Sequence, residues 1–474
     1  MFPLEQIAHI VGGDLHATSP DDLRLHPAGI CHDSRRINAG DLFVALPGAR
    51  TDGRRFIRSA FSAGACGAML SPAADMDPRE LDAVGPWIEV SDPLQALTCL
   101  ASAWRRELDA TIIAITGTNG KTTTRELLAH VLSAVGLTHA SPDNLNTEIG
   151  VPLSVLLAPR DARYGVFEAA ADRPGDLAPL NDVLQPDLVI LTGIGRGHLD
   201  RLDSLDAVAN EKWQLVRTRP EAALAMVNGD DERLWSRVTG AADPGILTFG
   251  LNREACDQFA EVLAQAPALS VRIRGHEAPI RCPLLGRHNA INLLAATSAA
   301  ERLGIPRNLI AQRAATFDPP PHRLVLHRNL PWGDLLDDSY NANPDSTLAA
   351  LDVLESLTSG RSERTVVFGE MQGLGQFASE GHRVVADRIA SLGVSAVFAV
   401  GSSAIDAASR HPGLACSASE PSLEEMASAL RTHMRLHPGV LLIKGSHSLG
   451  LDRLADDLAG DKKATAGVAD DPHR

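Results

Sequence analysis

Short apolar runs alternate with amphipathic stretches along most of the chain. Residues 4–13 (LEQIAHIVGG) carry apolar side chains at helical spacing and close on a glycine pair, which predicts a short helix. Leu42-Phe43-Val44-Ala45-Leu46 is apolar throughout and is stopped by Pro47-Gly48, the pattern of a buried strand. Helices are expected over 56–65 and 93–107. Thr111-Ile112-Ile113-Ala114-Ile115-Thr116, Tyr164-Gly165-Val166-Phe167-Glu168 and Asp187-Leu188-Val189-Ile190-Leu191 read as buried strands, with helices over 125–135 and 204–217. After the stiff Asp318-Pro319-Pro320-Pro321, strands at 335–337, 365–368, 396–400 and 440–443 alternate with helices from Pro344 and near 380–391.

This alternation predicts an α/β chain whose sheets are parallel, covered by helices on both faces, with ligands at the carboxyl ends of the strands. The expected organisation is a small N-terminal α/β domain over 1–105, a central phosphate-loop parallel-sheet domain over 106–318, and a C-terminal Rossmann-like α/β domain over 319–460. The tail, 461–474, has little to bury and is expected to be disordered.

Length agrees: 474 residues suit three domains of roughly 100–200 residues. A 44% hydrophobic and 22% charged composition excludes long disorder, collagen or a coiled-coil rod for the whole chain. Aromatics are only 4%, so the cores fall to Ala, Leu, Val and Ile. The net charge of −15 argues against a broad nucleic-acid surface and against a polybasic membrane patch. No apolar run reaches the roughly 18 residues of a membrane span. No signal peptide is visible, and no pair among the six cysteines forms a CxxC; a cytoplasmic protein with free thiols is expected.

The strongest local chemistry lies in Thr116-Gly117-Thr118-Asn119-Gly120-Lys121-Thr122-Thr123-Thr124, between a buried strand and a helix. Glycines let backbone N–H groups close around a phosphate chain, and the helix N-terminus adds its dipole. Lys121 would reach the outer phosphates, and Thr122 would ligate Mg²⁺. The strict GxxxxGK[ST] spacing needs a glycine where Ile115 stands; the first glycine is Gly117, so the loop is tighter. Glu168, at a strand's carboxyl end, is placed to face a metal, or to be a solvated strand-end carboxylate. His198 lies in a glycine-rich loop (Gly193-Ile194-Gly195-Arg196-Gly197) that allows close approach of backbone to a ligand, or leaves it structural.

Lys212 interrupts the apolar stripe of Leu205, Val208, Ala209, Leu215 and Val216. A buried amine must be paired or lose its charge, and a neutral amine can take up CO₂ as a carbamate. The alternative is a lysine whose stem covers the core while its head reaches water. Asn289 and Asn292 share a helix face and suit either a purine edge or a cap. Arg323 suits ribose, phosphate or a surface ion pair. Asp337-Asp338-Ser339-Tyr340-Asn341-Ala342-Asn343-Pro344 is a dense polar cluster after a strand, with Asn343 and Pro344 placed to start a helix.

Together these segments resemble the Mur ligase family of peptidoglycan synthesis, over about residues 1–455. The resemblance rests on TGTNGKTTT, on DNLNTEIGVPL (143–153), on GRGHLD (195–200), on Asn210-Glu211-Lys212, on GRHNAINLLAA and on DDSYNANPDS. Phe368-Gly369-Glu370-Met371, Lys444-Gly445-Ser446 and, near the front, Asp33-Ser34-Arg35, GDLFVA and Thr51-Asp52-Gly53-Arg54 add to it. The chain departs from the family at Thr147, where Asn is usual, at EAAADR (168–173), at Gly197 for Ala, and at Arg54 for His.

The resemblance implies the three-domain architecture of that family and ATP-dependent amide-bond formation through an acyl phosphate. The DDSYNANPDS run points to the branch that adds D-alanyl-D-alanine to UDP-N-acetylmuramoyl-tripeptide. By the same resemblance, Gly117, Thr118, Asn119, Gly120, Lys121, Thr122 and Thr123 would hold the ATP phosphates. Thr122, Glu168, His198 and a carbamylated Lys212 would organise two Mg²⁺ ions. Asn289, Asn292, Arg323 and Asp338 would hold the nucleotide, with Tyr340, Asn341 and Asn343 near its phosphates. Ser34, Arg35, Asp52, Asn144, Asn146 and Thr147 would meet the UDP-sugar peptide. The protein is expected to be monomeric, without a nucleic-acid partner. Rival readings are another amino-acid ligase of this fold, a phosphate-loop kinase or NTPase, and a non-catalytic nucleotide-binding relative.

Overall fold

The computed structural model describes residues 1–48, 51–72, 78–358, 363–411, 416–417 and 422–460; the tail expected to be disordered lies outside the described residues. The apolar runs build three sheets. The first has five strands in the order Asp14–His16, Trp87–Glu89, Gly67–Leu70, Leu42–Val44, Ile30–Cys31, parallel except at the Asp14–His16 edge.

The middle sheet has nine strands: Ile280–Cys282, Leu269–Ile273, Gln258–Ala264, Ile246–Gly250, Leu224–Asn228, Leu188–Leu191, Thr111–Thr116, Tyr164–Glu168 and Thr138–Ala140. It is mixed rather than wholly parallel, because its last three strands in sequence pair antiparallel with one another, each with the next. Burial explains the difference. Leu269, Val271 and Ile273 face inward while Arg272 is exposed, so one face meets water and no crossover helix covers it. The parallel strands carrying the candidate residues, such as Val166-Phe167-Glu168, are buried on both faces.

The third sheet runs Val325–Leu330, Gly333–Asp337, Gly439–Lys444, Glu363–Gly369, Ala396–Val400, Cys416–Ser417. It is parallel apart from the hairpin formed by its first two strands.

Local chemistry fixes the helix starts. Asp92 accepts from the N–H groups of Leu94 and Gln95 and Pro93 takes the first position of the Pro93–Glu107 helix. Ser204 caps Leu205–Arg217, and Asn343 with Ser346 forms a reciprocal capping box on Pro344–Leu357. The helix expected from residue 125 begins at Lys121 and ends at Leu132. Gly120, at φ +85°, turns the loop straight into the helix, so the polar Lys-Thr-Thr-Thr run forms its first turn.

The Pro93–Glu107 helix joins the first two sheets. It packs against the helices Leu4–Val11, Gly150–Leu156 and Leu177–Leu184. Leu97, Leu100, Ala101 and Trp104 belong to one buried cluster running from Leu4 to Ile246. The Trp104 indole N–H donates to the Ala158 carbonyl at 3.1 Å. The third sheet has its own core, which includes Leu285 from the end of the middle segment.

Leu100 is fully buried within that joint. Leu100→Ala should cost about 2–5 kcal/mol through lost transfer energy and an unfilled cavity. A lower urea midpoint for the first unfolding transition is expected, and an unchanged midpoint would show that the joint does not carry the stability of these two sheets.

Candidate active site

The phosphate loop is fixed from below. Thr118 N–H donates to the Gly193 carbonyl at 2.9 Å, and the Thr192 hydroxyl donates to the Asn119 carbonyl at 2.6 Å. Gly117 sits at φ +143°, and a Cβ there would collide with Thr192. Lys121 Nζ folds back onto the carbonyls of Gly117 and Thr118, at 2.8 and 3.2 Å. Burial pulls its pKa below the usual lysine value, opposed by the nearby Glu168 carboxylate. Thr122 and Thr123 follow in the first helical turn, where unpaired N–H groups point toward the loop's mouth.

Glu168 is 1% exposed, at the end of its strand. Its Oε1 lies 2.9 Å from an Arg125 guanidinium nitrogen, and Asn146 donates to its Oε2 at 3.2 Å. Arg125 also donates to the Asp143 carbonyl at 3.1 Å, so it ties the 143–147 loop to Glu168. Arg125 has no sequence signal: an arginine after Thr122-Thr123-Thr124 reads as a solvated helix residue, yet this one is buried.

Lys212 is also 1% exposed. That excludes a head group reaching water and leaves the buried amine. Burial, reinforced by the Lys121 charge, pulls its pKa down to about 7. Its neighbour Glu211 turns away and accepts from the N–H groups of Gly175 and Leu177 at 2.7 and 2.9 Å. His198 adopts a left-handed φ of +57° and sets Nδ1 3.0 Å from Asp172 Oδ1. That hydrogen bond holds the Asp172 carboxyl below the usual range despite partial burial. Asp172 lies in the run that departs from the family pattern, and sequence gave it no role.

From the third sheet, Arg323 stacks over the Tyr340 ring at 4.1 Å, and Tyr340 stacks on His447 with 5.0 Å between centroids. The Arg323 charge acts on both Lys121 and Asp338. Asp338 pairs with the buried Lys444, whose Nζ also donates to the Asn341 carbonyl at 3.0 Å; burial raises the Asp338 pKa. Asn343, besides capping its helix, donates to the Asn119 side chain at 2.7 Å across 224 residues of sequence.

The structure therefore brings Gly117–Thr123, Glu168, His198, Lys212, Arg323, Asp338, Tyr340, Asn341 and Asn343 around one mouth at the carboxyl ends of the strands. Asn289 and Asn292 lie behind the loop: Asn292 donates to Asn289 at 2.8 Å, Asn289 to the Leu285 carbonyl at 2.8 Å, and Asn292 packs on Gly120. Ser34, Arg35 and Asp52 stand apart in the first segment, where Arg35 pairs with Asp33 and Asp52 with Arg54. Arg36, 3.5 Å from Asp143, links that segment to the loop bearing Asn144, Asn146 and Thr147.

The donor set suits a hard cation. Thr122 offers a hydroxyl and His198 an imidazole. Glu168 Oε1 is buried and paired with the Arg125 charge at 2.9 Å, outside hydrogen-bond geometry. Among the described residues no three His, Cys, Asp or Glu side chains gather around a metal position. A cation here must draw further oxygens from phosphate, as Mg²⁺ does.

Comparison with known proteins gives concordant results. Three family profiles match: "Mur ligase family, catalytic domain" over 26–105, "Mur ligase middle domain" over 115–300, and "Mur ligase, glutamate ligase domain" over 322–447. A UDP-N-acetylmuramoyl-tripeptide–D-alanyl-D-alanine ligase of Synechocystis is 32% identical, covering 92% of this chain and 93% of its own. Its Bacillus subtilis counterpart is 31% identical, covering 84% and 85%. A MurF crystal structure from Acinetobacter baumannii superposes with a TM-score of 0.83 at 26% identity, covering 97% and 99%. MurF from Thermotoga maritima in complex with ADP shares the fold, with a TM-score of 0.77 at 24% identity, over 91% of this chain and 97% of that one.

Burial of Lys212 has a pH signature. The unfolded chain holds its proton up to about pH 10.4, the folded chain only to about pH 7. The unfolded state therefore binds more protons between these values, and stability from this group rises with pH. Lys212→Met should gain most over the unaltered protein at pH 7, with the gap narrowing toward pH 10 in urea titrations. A gap independent of pH would show that the amine is not desolvated.

Proposed function

The chain belongs to the Mur ligase family, and from that premise we propose that it joins D-alanyl-D-alanine to UDP-N-acetylmuramoyl-tripeptide at the expense of ATP. One observation carries the reading: the phosphate loop and the buried Lys212 share a mouth with Arg323, Tyr340 and Asn343 of the third sheet. A kinase or simple NTPase has no use for Lys212 there. In this reading 1–105 receives the UDP-sugar end, 106–318 the ATP and 319–460 the incoming dipeptide and part of the nucleotide. Among the described residues no helix is long and apolar enough to cross a membrane.

A carboxylate is a poor electrophile at neutral pH. Its oxygen attacks the γ-phosphorus of ATP, the β–γ bridge breaks, and ADP leaves with the electron pair. The free amine of D-alanyl-D-alanine then attacks the acyl-phosphate carbon, and the tetrahedral intermediate expels inorganic phosphate and loses a proton. Lys121, released from the loop carbonyls, meets the outer phosphates, while the loop N–H groups hold the oxygens that gain charge. Arg323 adds charge from the opposite side. Mg²⁺ supplies charge neutralisation between the phosphates and the attacking carboxylate. Thr122, Glu168 and His198 would hold it.

Lys212 completes the set as a carbamate. Its amine is buried and largely neutral slightly above pH 7, so the neutral form can attack CO₂ at carbon and lose a proton, leaving a carbamate anion that would serve as a ligand to the metal. Reversible uptake of ¹³CO₂ should give one carbamate carbon resonance, absent from Lys212→Met. Its presence in both proteins would assign the signal elsewhere.

The reaction itself is checked by phosphate release from ATP and Mg²⁺ with UDP-N-acetylmuramoyl-tripeptide, with and without D-alanyl-D-alanine. Release that requires both, with product heavier by the dipeptide less water, is expected, and Lys121→Ala should slow it by about 10²-fold or more. Release without the dipeptide would make the protein an NTPase.

A further inference from the structure

The loop carrying His198 is held from two sides. Toward the middle sheet, Gly195 N–H donates to the Thr118 hydroxyl at 2.9 Å. Toward the third domain, Asp345 accepts three hydrogen bonds from Arg196: from its backbone N–H at 2.6 Å, its Nε at 2.9 Å and its terminal nitrogen at 2.5 Å. Asp345 lies in the first turn of the Pro344–Leu357 helix, where the dipole favours a carboxylate. Two residues beyond His198, the Asp200 N–H donates to the Gly373 carbonyl at 3.2 Å, again in the third domain. The tight fit leaves little slack. A Cβ on Gly195 would lie 2.9 Å from Asp345, and one on Gly197 3.0 Å from Thr118.

We propose that Arg196 and Asp345 form an interdomain latch that positions His198, so that closure of the third domain and assembly of the metal side of the site are one event. They are positioning residues; neither touches substrate. Beside the three bonds at Asp345, the Asn119–Asn343 amide pair closes the same seam at the phosphate loop. Between these anchors His198 takes a left-handed φ of +57°, uncommon for a residue other than glycine. Opening the third domain removes Asp345 and Gly373 together and frees the loop on one side.

The proposal rests on the nucleotide-and-metal reading above, and its test separates the two. Small-angle scattering of the protein with ADP and Mg²⁺ reads closure directly, and calorimetric titration of ADP at a series of Mg²⁺ concentrations reads the metal side without turnover. Asp345→Ala should enlarge the radius of gyration and raise the half-saturating Mg²⁺ about tenfold. Arg196→Ala keeps the backbone N–H bond, so its effect should be smaller and the more sensitive to salt in the parent protein's comparison. The double variant should match Asp345→Ala. Asp345→Asn, which keeps the helix turn, guards against misfolding, checked by far-UV dichroism.

Additive effects in the double variant, or unchanged scattering with altered Mg²⁺ dependence, would overturn the latch. Altered scattering with unchanged Mg²⁺ dependence would overturn the positioning of His198. Failure of the unaltered protein to couple phosphate release to dipeptide would instead sink the reaction assigned above and leave the scattering result standing.

Discussion

The site depends on burying two amines, Lys121 and Lys212, at the bottom of one mouth, where Lys212 feels the charge of Lys121. Both pKa values fall through burial, and the Lys121 charge lowers that of Lys212 further. Two carboxylates limit the cost, but neither is free to cancel it. Glu168 is bound to Arg125, and Asp172 is bound to His198. Arg323 adds a further positive charge. A protein of net charge −15 thus keeps a locally cationic interior pocket. Such a pocket in a low-dielectric wall focuses field on an entering polyanion far more than a surface patch does. The glycines at 117 and 120, the pinning hydroxyl of Thr192 and the early start of the Lys121–Leu132 helix all serve to hold backbone dipoles against that position.

Much of this was legible in the sequence because its signals are local. A strand, two glycines, Lys-Thr and a helix within fifteen residues specify a phosphate loop. Asn343-Pro344 specifies a capped helix start, and the structure adds the reciprocal bond from Ser346. Lys212 stood out because it broke an apolar stripe, and near-complete burial decides between its two readings. The pairings that sharpen the site were not legible. Arg125 with Glu168, Arg196 with Asp345, and Asn119 with Asn343 join residues separated by tens to hundreds of positions. Arg125, Arg196 and Asp345 alone read as ordinary surface residues, and local sequence names no partner for any of the six. Asn289 and Asn292 illustrate the reverse. Their face was correctly read as shared, but they spend bonds on each other and on backbone behind the loop. The mixed middle sheet was missed because the half-exposed strands from 258 to 282 lack the continuous apolar runs that marked the buried ones.

The cores are distributed unevenly. The first and middle sheets share one buried cluster through the Pro93–Glu107 helix, whereas the third has a core of its own and meets them through polar pairs, through Leu285 and Ala266, and through a small cluster of Leu199 and Leu202 with Phe377. Apolar interfaces of the first kind resist shear, since sliding exposes surface on both sides. Polar seams of the second kind can part and reform by exchanging partners with water. On the proposed reading the molecule would work as a vice with one fixed jaw and one travelling jaw, with the stiff prolines at 319–321 as the slide. The sugar end of the substrate would then be clamped in a frame that does not deform, and travel would be delivered at its reactive tip. A chain cut between the first two sheets would lose half of a common interior, while a cut near residue 318 would mainly expose surface already built to be wet.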